Sequence, residues 1–274
     1  MKLSDQPDFV RVCYYGDPGS GKTSAAAMAA NLGTTWFALA EPGVHRRPLE
    51  KLGVPVDMIH LDTDVSFDGI QARIDKIRTE LHVNPGQIGG FVIDTVTEMT
   101  RQWLGEIVDA KANKERQKAE ARGEEYDRNP FFIDRDYYSQ TTQMWQRVLR
   151  ALSDLETNVV FTAHVRRDVD DDDGSVKYGP DLPPAMQSHL TGLVDVLVRT
   201  QQVGAYSDGR PILVGRTSNA KKYRVKDRLN CLPVTMVYPS VDRINAYASG
   251  KLNEDNDTLQ LEFRQWVESN KKEK

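Results

Sequence analysis

Three features that would each define a class of protein are scarce or missing in this sequence. Only two of its 274 residues are cysteine, which argues against a disulfide framework or a cysteine-based zinc site. No apolar run approaches the length that crosses a bilayer, and the first residues, MKLSDQPDFVRV, lack the apolar core of a signal peptide. We therefore expect no membrane partner and a cytoplasmic location.

An excess of positive charge is missing as well. The formal net charge is −4 at pH 7, although 28% of the residues are charged. A protein that binds nucleic acid through a generally basic surface would have the opposite sign, so any contact with DNA or RNA must use local patches. The composition is otherwise that of an ordinary globular protein, and the length predicts a single domain over residues 1–274.

The sequence does contain a regular alternation of strand and helix patterns. Ile70, Ile74, Ile77 and Leu81 have helical spacing, and continuously apolar runs on both sides of them predict buried strands. Such an alternation predicts an α/β fold with a mostly parallel sheet flanked by helices. The strand-like runs are FVRVCYYG, TTWFALA, DMIHLDTD, GGFVIDT and NVVFTAH, followed by LVDVLVRTQQV, RPILVGRT and PVTMVY, which we expect to be partly antiparallel.

Three stretches fall outside this alternation. Residues 111–135 form a charged insertion, which is either a solvated extension of a helix or a surface that contacts DNA or a partner. The stretch RRDVDDDDGSVKYGPDLPPAMQ, with its aspartates between residues 168 and 173, predicts a long surface loop. Residues 250–274 predict an amphipathic helix and a frayed tail.

The strongest functional signal lies in GDPGSGKTS, residues 16–24. Gly16, Gly21, Lys22 and Thr23 fit the pattern G-x-x-x-x-G-K-[ST], placed between a predicted strand and a predicted helix. Glycines let backbone N–H groups turn towards phosphate oxygens, and the helix N-terminus adds its positive dipole end. We expect Lys22 to contact the β- and γ-phosphates and the Thr23 hydroxyl to bind Mg²⁺. The candidate nucleotide-binding residues are Gly16, Asp17, Pro18, Gly19, Ser20, Gly21, Lys22, Thr23 and Ser24.

Acidic residues at other predicted strand ends would complete such a site. Asp94 ends the apolar run FVIDT and is the candidate second metal ligand. Thr95 follows it, where AAA+ and ABC-type ATPases usually carry a catalytic glutamate, so the base must lie elsewhere. Glu41 follows the second strand and would lie at the carboxyl edge of a parallel sheet, where ligands bind. It is either the residue that orients the attacking water or a solvated loop glutamate.

His164 is placed at the end of the predicted strand VVFTAH, again at the carboxyl edge. A polar group there can contact the γ-phosphate and report its loss to the segment that follows. The alternative is a histidine that ends a strand without such a role.

Together, GDPGSGKT, ALAEPG, FVIDT and FTAH resemble the motifs of RecA-like core ATPases. The set is most similar to the phage-encoded Sak-type single-strand annealing and recombination proteins, over roughly residues 9–228. The resemblance implies a RecA-like ATPase that uses ATP and Mg²⁺, assembles with like subunits at a nucleotide-containing boundary, and binds single-stranded DNA. It also implies the cytoplasm of a bacterial host, with a phage single-stranded-DNA-binding protein as a candidate partner.

The same resemblance places basic residues at a subunit boundary. The segment TSNAKKYRVKDR, expected to form a hairpin, contains Lys226 and Arg228. These two are candidates for neutralising γ-phosphate charge in a neighbouring subunit, or they are solvated hairpin charges. Arg166 and Arg167 are candidates for contact with DNA phosphates, although the aspartates that follow would repel the same backbone.

Two other functions stay open on the sequence alone. A small-molecule phosphotransferase, such as a nucleotide kinase, would share the phosphate loop, and EPGVHRRPLE, residues 41–50, could be part of its lid. A nucleotide-gated scaffold or loader would bind ATP with little turnover. No motif that reads the base is visible, so the sequence does not distinguish ATP from GTP.

Overall fold

The computed structural model describes residues 9–126, 133–169, 174–218 and 221–271. Within these ranges, ten strands form a mixed sheet whose main order is β10-β8-β7-β1-β5-β4-β2-β3, while β6 pairs with β5 and β9 pairs with β7. The strands are β1 Arg11–Gly16, β2 Thr34–Leu39, β3 Ile59–Asp62, β4 Ile88–Asp94, β5 Val159–Val169, β6 Val176–Pro180, β7 Val196–Ala205, β8 Pro211–Arg216, β9 Lys226–Asp227 and β10 Thr235–Val237.

Helices cover both faces of the sheet. Those in the described residues are α1 Lys22–Ala27, α2 Arg46–Lys51, α3 Phe67–Val83, α4 Val96–Arg122, α5 Arg135–Ser153, α6 Pro184–Leu193, α7 Val241–Ala248 and α8 Thr258–Lys271. The strands β7, β1, β5, β4, β2 and β3 run parallel, and β6, β8 and β9 run antiparallel to their partners. The predicted α/β class with a mostly parallel sheet is confirmed.

The central strand β1 is buried on both faces. Val12 and Tyr14 belong to the core beneath α1 and α7, whereas Cys13 and Tyr15 belong to the core beneath α3 to α6. Successive side chains of a strand point to opposite faces, so this run of apolar residues serves two cores at once. The loop that follows Gly16 therefore begins from a strand that packing holds on both sides. Cys13 is fully buried in the core beneath α3 to α6.

The stretch predicted as a long surface loop is partly β-structure. β5 does not end at His164: its parallel pairing with β1 stops there, and from Val165 to Val169 it pairs antiparallel with β6. For these paired residues the prediction of a loop was wrong, because the hairpin arm is exposed and polar and lacks the apolar signal of a buried strand; residues 170–173 lie outside the described ranges.

The segment TSNAKKYRVKDR, expected to be a hairpin, does not pair with itself in its described residues. These form the two-residue strand β9 on β7 and an isolated bridge between Tyr223 and Tyr178, and residues 219 and 220 lie outside the described ranges.

The charged insertion is helical over most of its described length. Helix α4 continues through residues 111–122, ends at Gly123 with a left-handed φ of 69°, and the chain re-enters a helix at Arg135. Glycine is favoured in that conformation because it has no Cβ. The described residues are therefore a helix extension, a contact of this extension with DNA or a partner stays a prediction, and residues 127–132 lie outside the described ranges.

Among the helices described, none is both long and apolar enough to cross a membrane.

Candidate functional site

The GDPGSGKTS segment forms a tight loop between β1 and α1. The Ser20 N–H donates to the Asp17 carbonyl at 3.1 Å, which closes the turn. Gly19 and Gly21 have φ angles of 74° and 83°, in the left-handed region that favours glycine. A Cβ at Gly21 would also lie 2.6 Å from the side chain of Leu213. The loop therefore has the shape that its glycine pattern predicts.

Lys22, the first residue of α1, points back into this loop. Its ammonium group donates to the Gly16 and Asp17 carbonyls, each at 3.0 Å, and the residue is only 7% exposed. Burial lowers the pKa of Lys22, and the nearby carboxylates of Asp94 and Glu41 oppose that shift. A phosphate oxygen arriving in the loop would replace the two carbonyls as partners of this charge.

Thr23 and Asp94 meet as expected for two residues that hold a metal. Thr23 Oγ1 donates to Asp94 Oδ2 at 3.0 Å, and Thr162 donates to the other carboxylate oxygen. Burial raises the pKa of Asp94, and the two hydroxyl hydrogen bonds oppose that shift. A hydroxyl and a buried carboxylate beside a phosphate loop are oxygen ligands of the kind that Mg²⁺ prefers.

Glu41 and His164 are brought together across the sheet edge. Glu41 Oε1 accepts a hydrogen bond from Thr95 Oγ1 at 3.0 Å and lies 2.6 Å from His164 Nε2. The side chains of Glu41 and His164 keep 33% and 25% of their exposure, so water can reach both. Because β2 and β5 flank β4, which ends at Asp94, the three side chains converge on one edge.

The predicted site residues line a cavity of about 730 Å³. Its lining includes phosphate-loop residues together with Glu41, Asp94, Thr95 and His164. The cavity extends beyond the loop between α2 and the β7–β8 turn, where His45, Arg47, Gln202 and Pro211 line it. This volume lies within the usual range of about 300–1,000 Å³ for small-molecule sites.

Glu98 is a neighbour of the site that the sequence reasoning missed. Its backbone N–H donates to Thr95 Oγ1 at 3.2 Å, so Thr95 caps α4, and its carboxylate pairs with Arg101. Ligand atoms of Glu41, Glu98 and His164 lie within 4.8 Å of one another. The T-x-x-E spacing of a capping box could have placed Glu98 in the first helical turn, but not beside His164.

Arg199 was also missed. It is a 4% exposed arginine of β7, and it pairs with Asp17 of the phosphate loop at 2.5 Å. Its signal in the sequence is an arginine directly after the apolar residues VLV, within the stretch LVDVLVRT, which also contains Asp195.

Lys226 and Arg228 are not part of this cavity in the chain. Lys226 Nζ donates to the carbonyls of Thr191 and Val194 at 2.8 and 2.7 Å, and Arg228 pairs with Asp195 at 3.0 Å. These partners lie at the end of α6 and the start of β7, on the sheet edge opposite the phosphate loop. A role for the two cations in a neighbouring subunit stays a prediction.

The fold and the site define a P-loop NTPase: a mostly parallel sheet whose central strand leads through G-x-x-x-x-G-K-T into a helix, with an aspartate two strands away. Residues 8–229 match the model of a family described as AAA domain, and because this match covers most of the 274 residues, the chain belongs to that family of nucleotide-binding ATPases. A search of curated proteins found no match.

Replacing Asp94 with asparagine should stabilise the nucleotide-free protein while removing its response to Mg²⁺. A raised carboxyl pKa means that the fold disfavours the ionised form, so the free energy of unfolding falls as pH rises from the ordinary carboxyl pKa through the raised one. In the asparagine variant the amide oxygen accepts from one threonine hydroxyl and the amide NH2 group donates to the other, so both contacts are kept without the buried charge. We expect a gain on the order of 1 kcal/mol, or about 2–4 °C in melting temperature.

Thermal melts with and without nucleotide and Mg²⁺ check this prediction for Asp94→Asn. A lower melting temperature in the ligand-free variant, together with an intact Mg²⁺-dependent shift, would contradict both parts.

Proposed function

We propose that this protein binds and hydrolyses ATP with Mg²⁺ and acts on single-stranded DNA in phage-type recombination, annealing or replication, in the cytoplasm of a bacterial host. The observation that supports the ATPase part best is the convergence of Lys22, Thr23, Asp94, Glu41 and His164 on one edge of the sheet. Each side chain there has the chemistry that one step of triphosphate hydrolysis needs.

The phosphate-binding part of the mechanism rests on the loop and Lys22. Backbone N–H groups of the loop face the polyphosphate, and the Lys22 ammonium group exchanges its two carbonyl partners for phosphate oxygens. Thr23 and Asp94 would hold Mg²⁺, which would neutralise phosphate charge. A γ-phosphate held by these contacts would share the cavity with Glu41 and His164.

The hydrolytic part rests on Glu41 and His164. The Thr95 and His164 hydrogen bonds of the Glu41 carboxylate both use Oε1, which leaves Oε2 as the oxygen that would accept a proton from the attacking water. Thr95 and His164 fix the orientation of Glu41. When the γ-phosphate is present it competes for His164 Nε2, so the histidine senses the difference between triphosphate and diphosphate.

A groove of about 910 Å³ supports the DNA part of the proposal. It lies between α4, α5 and the start of α6, and its lining includes Arg101, Arg135, Arg166 and Tyr138 with several hydroxyl and amide side chains. Single-stranded DNA is bound by cations that follow the phosphates and by aromatic rings that stack on bases. Tyr138 is 44% exposed and could supply such a ring.

The acidic residues beside this groove are partly neutralised within the described residues. Asp168 pairs with Arg166 at 2.8 Å and lies 3.6 Å from Arg224, and Asp181 pairs with Arg101 at 3.0 Å. The groove also connects to the nucleotide site, because Thr97 Oγ1 accepts from the His164 backbone N–H and donates to the Asp181 carbonyl. A DNA strand that contacted Asp181 and Arg166 would therefore act on the segment that holds His164.

ATP turnover measured with and without single-stranded DNA tests the proposed function. We expect turnover that DNA stimulates in the wild type, and a loss of stimulation without loss of basal turnover in Arg166→Ala/Arg167→Ala. Transfer of phosphate to a nucleoside or nucleotide would instead indicate a kinase. ATP binding with no turnover under any condition would indicate a scaffold or loader.

We further propose that like subunits assemble with the nucleotide at their boundary, where Lys226 or Arg228 contacts the γ-phosphate of a neighbour. On this basis Lys226→Ala should reduce turnover at least about tenfold at concentrations where the protein is assembled. Dilution to monomers should abolish the difference between variant and wild type. Lys226 also holds the α6 carbonyls, so melting temperature is measured in parallel. An equal loss in assembled and dilute protein would contradict a role across the boundary.

A further inference from the structure

A buried arginine lies behind the phosphate loop, and the mechanism above does not use it. Arg199 belongs to β7, the strand beside β1 on the side away from β5, in register with Tyr15. Its side chain is 4% exposed. Arginine is almost never buried to this extent without partners, so the contacts of Arg199 indicate what it stabilises.

The contacts of Arg199 lead to the phosphate loop. Nη2 donates to Asp17 Oδ2 at 2.5 Å, and Nη1 donates to the Thr200 carbonyl at 2.7 Å. The Thr200 hydroxyl lies 3.0 Å from the hydroxyl of Ser20, another loop residue. Two consecutive residues of β7 therefore hold two positions of the loop, one through an ion pair and one through a hydroxyl contact.

The loop glycine at the end of β1 makes room for this arrangement. A Cβ at Gly16 would lie 2.5 Å from Arg199 Nη1 and 2.8 Å from the Thr200 carbonyl oxygen. Gly16 is therefore required for the close approach of β7, in addition to any approach of phosphate. The faces of Tyr15 and Tyr223, with ring centroids 5.8 and 5.6 Å from the guanidinium carbon, enclose the arginine on its other sides.

The charges of the ion pair are unequally exposed. The Asp17 side chain is 62% exposed, whereas Arg199 is buried. A free carboxylate at the edge of an anion-binding loop would repel the phosphates, and Arg199 neutralises it and fixes it against the loop.

We propose that Arg199 is a positioning residue of the nucleotide site, which neutralises Asp17 and holds the phosphate loop in the shape that binds a polyphosphate. The inference rests on the proposed function, because it presupposes that Mg²⁺ and a nucleoside triphosphate bind this loop. It assigns to β7 a part in nucleotide binding that the motif itself does not contain.

Calorimetric titration with Mg²⁺–ADP and with a non-hydrolysable Mg²⁺–ATP analogue tests the proposal. Arg199→Met should raise the Kd about tenfold or more. Arg199→Lys should raise it less, because lysine keeps the positive charge but lacks the planar guanidinium that donates to both Asp17 Oδ2 and the Thr200 carbonyl oxygen. Arg11→Met is the matched control. Arg11 lies on β1 at the opposite edge of the sheet, where its guanidinium donates to the Ser153 carbonyl at 2.5 Å, and the Kd of this variant should stay within about twofold of wild type.

A second substitution separates positioning from general support of the fold. Because Arg199→Met leaves the Asp17 carboxylate without its counter-charge, adding Asp17→Ala should recover at least about threefold of the lost affinity. A merely structural arginine would give no such recovery. Double-variant affinity equal to or weaker than that of Arg199→Met alone would therefore overturn the proposal.

Stability and the wild-type titration complete the test. Arg199→Met is expected to fold, because Asp17 can return to solvent. If it does not fold, Arg199→Lys decides, and an unchanged Kd overturns the proposal. Failure of the wild-type protein to bind either ligand would contradict the proposed function itself. Binding by the wild type, together with an Arg199→Met Kd within twofold of the wild-type Kd and an unchanged melting temperature, would contradict this inference alone.

Discussion

The Lys22→Ala protein is expected to lose nucleotide affinity by about 100-fold or more while keeping its fold. Lys22 carries a buried positive charge that is directed into the loop and is held there by the Gly16 and Asp17 carbonyls. Hydrogen bonds to charged groups contribute roughly 1.5–3 kcal/mol each, and about 2.8 kcal/mol corresponds to a 100-fold change in Kd. The backbone N–H groups of the loop remain in the variant, so weak binding should survive.

Titration of Lys22→Ala with Mg²⁺–ATP analogue measures this loss, and Lys251→Ala is the control. Lys251 is an exposed lysine after α7, outside the nucleotide cavity, so its removal should leave Kd unchanged. Burial lowers the pKa of Lys22 in the ligand-free protein, so its ammonium group loses the proton at a lower pH than an ordinary lysine does. As the pH is raised, nucleotide binding should therefore begin to weaken below the pH that an ordinary lysine pKa would predict. Affinity within threefold of wild type in Lys22→Ala would place the polyphosphate somewhere other than this loop.

The second large effect is expected in Glu41→Gln, which should bind ATP normally and hydrolyse it about 100- to 1,000-fold more slowly. A positioned general base contributes about 10²–10⁴-fold to a rate. Glutamine keeps an acceptor for Thr95 and His164, so the geometry of the edge is retained, but it cannot take a proton from water. The loss should therefore appear in kcat and leave the Kd for the ATP analogue unchanged.

Single-turnover hydrolysis of Glu41→Gln, compared with Glu98→Gln, checks this assignment. Glu98 is the neighbouring carboxylate and pairs with Arg101, so its replacement tests whether any nearby acid suffices. We expect the Glu98 variant to retain most of its turnover. Wild-type turnover in Glu41→Gln would remove Glu41 from the mechanism, and a larger loss in Glu98→Gln would move the role of the base to that residue.

The parts of the site that the sequence predicted are those that local chemistry determines. The glycines and Lys22 form a contiguous motif, and Glu41 and Asp94 follow apolar runs whose carboxyl ends meet in any parallel sheet. His164 was placed correctly at that edge, yet its strand does not end there. β5 changes from a parallel to an antiparallel partner at this point, and a change of partner leaves no mark on the apolar pattern.

The parts that the sequence did not reveal depend on contacts between distant residues. Arg199 and Asp17 are 182 positions apart, so a charged residue in an apolar strand was visible but its partner was not. Glu98 lies close to His164 only because α4 follows β4 directly in the chain, and β4 pairs with the parallel part of β5, which ends at His164. Lys226 and Arg228 were expected either to act on a neighbouring subunit or to be solvated hairpin charges, whereas in the chain they bind the end of α6 and Asp195.

The measurement that tests the central claim most directly is a calorimetric titration of the purified wild-type protein with a non-hydrolysable Mg²⁺–ATP analogue, repeated with EDTA. The arrangement of Lys22, Thr23 and Asp94 predicts one binding site per chain and a marked loss of affinity when the metal is removed. No measurable binding of any purine nucleoside triphosphate in the presence of Mg²⁺ would contradict it.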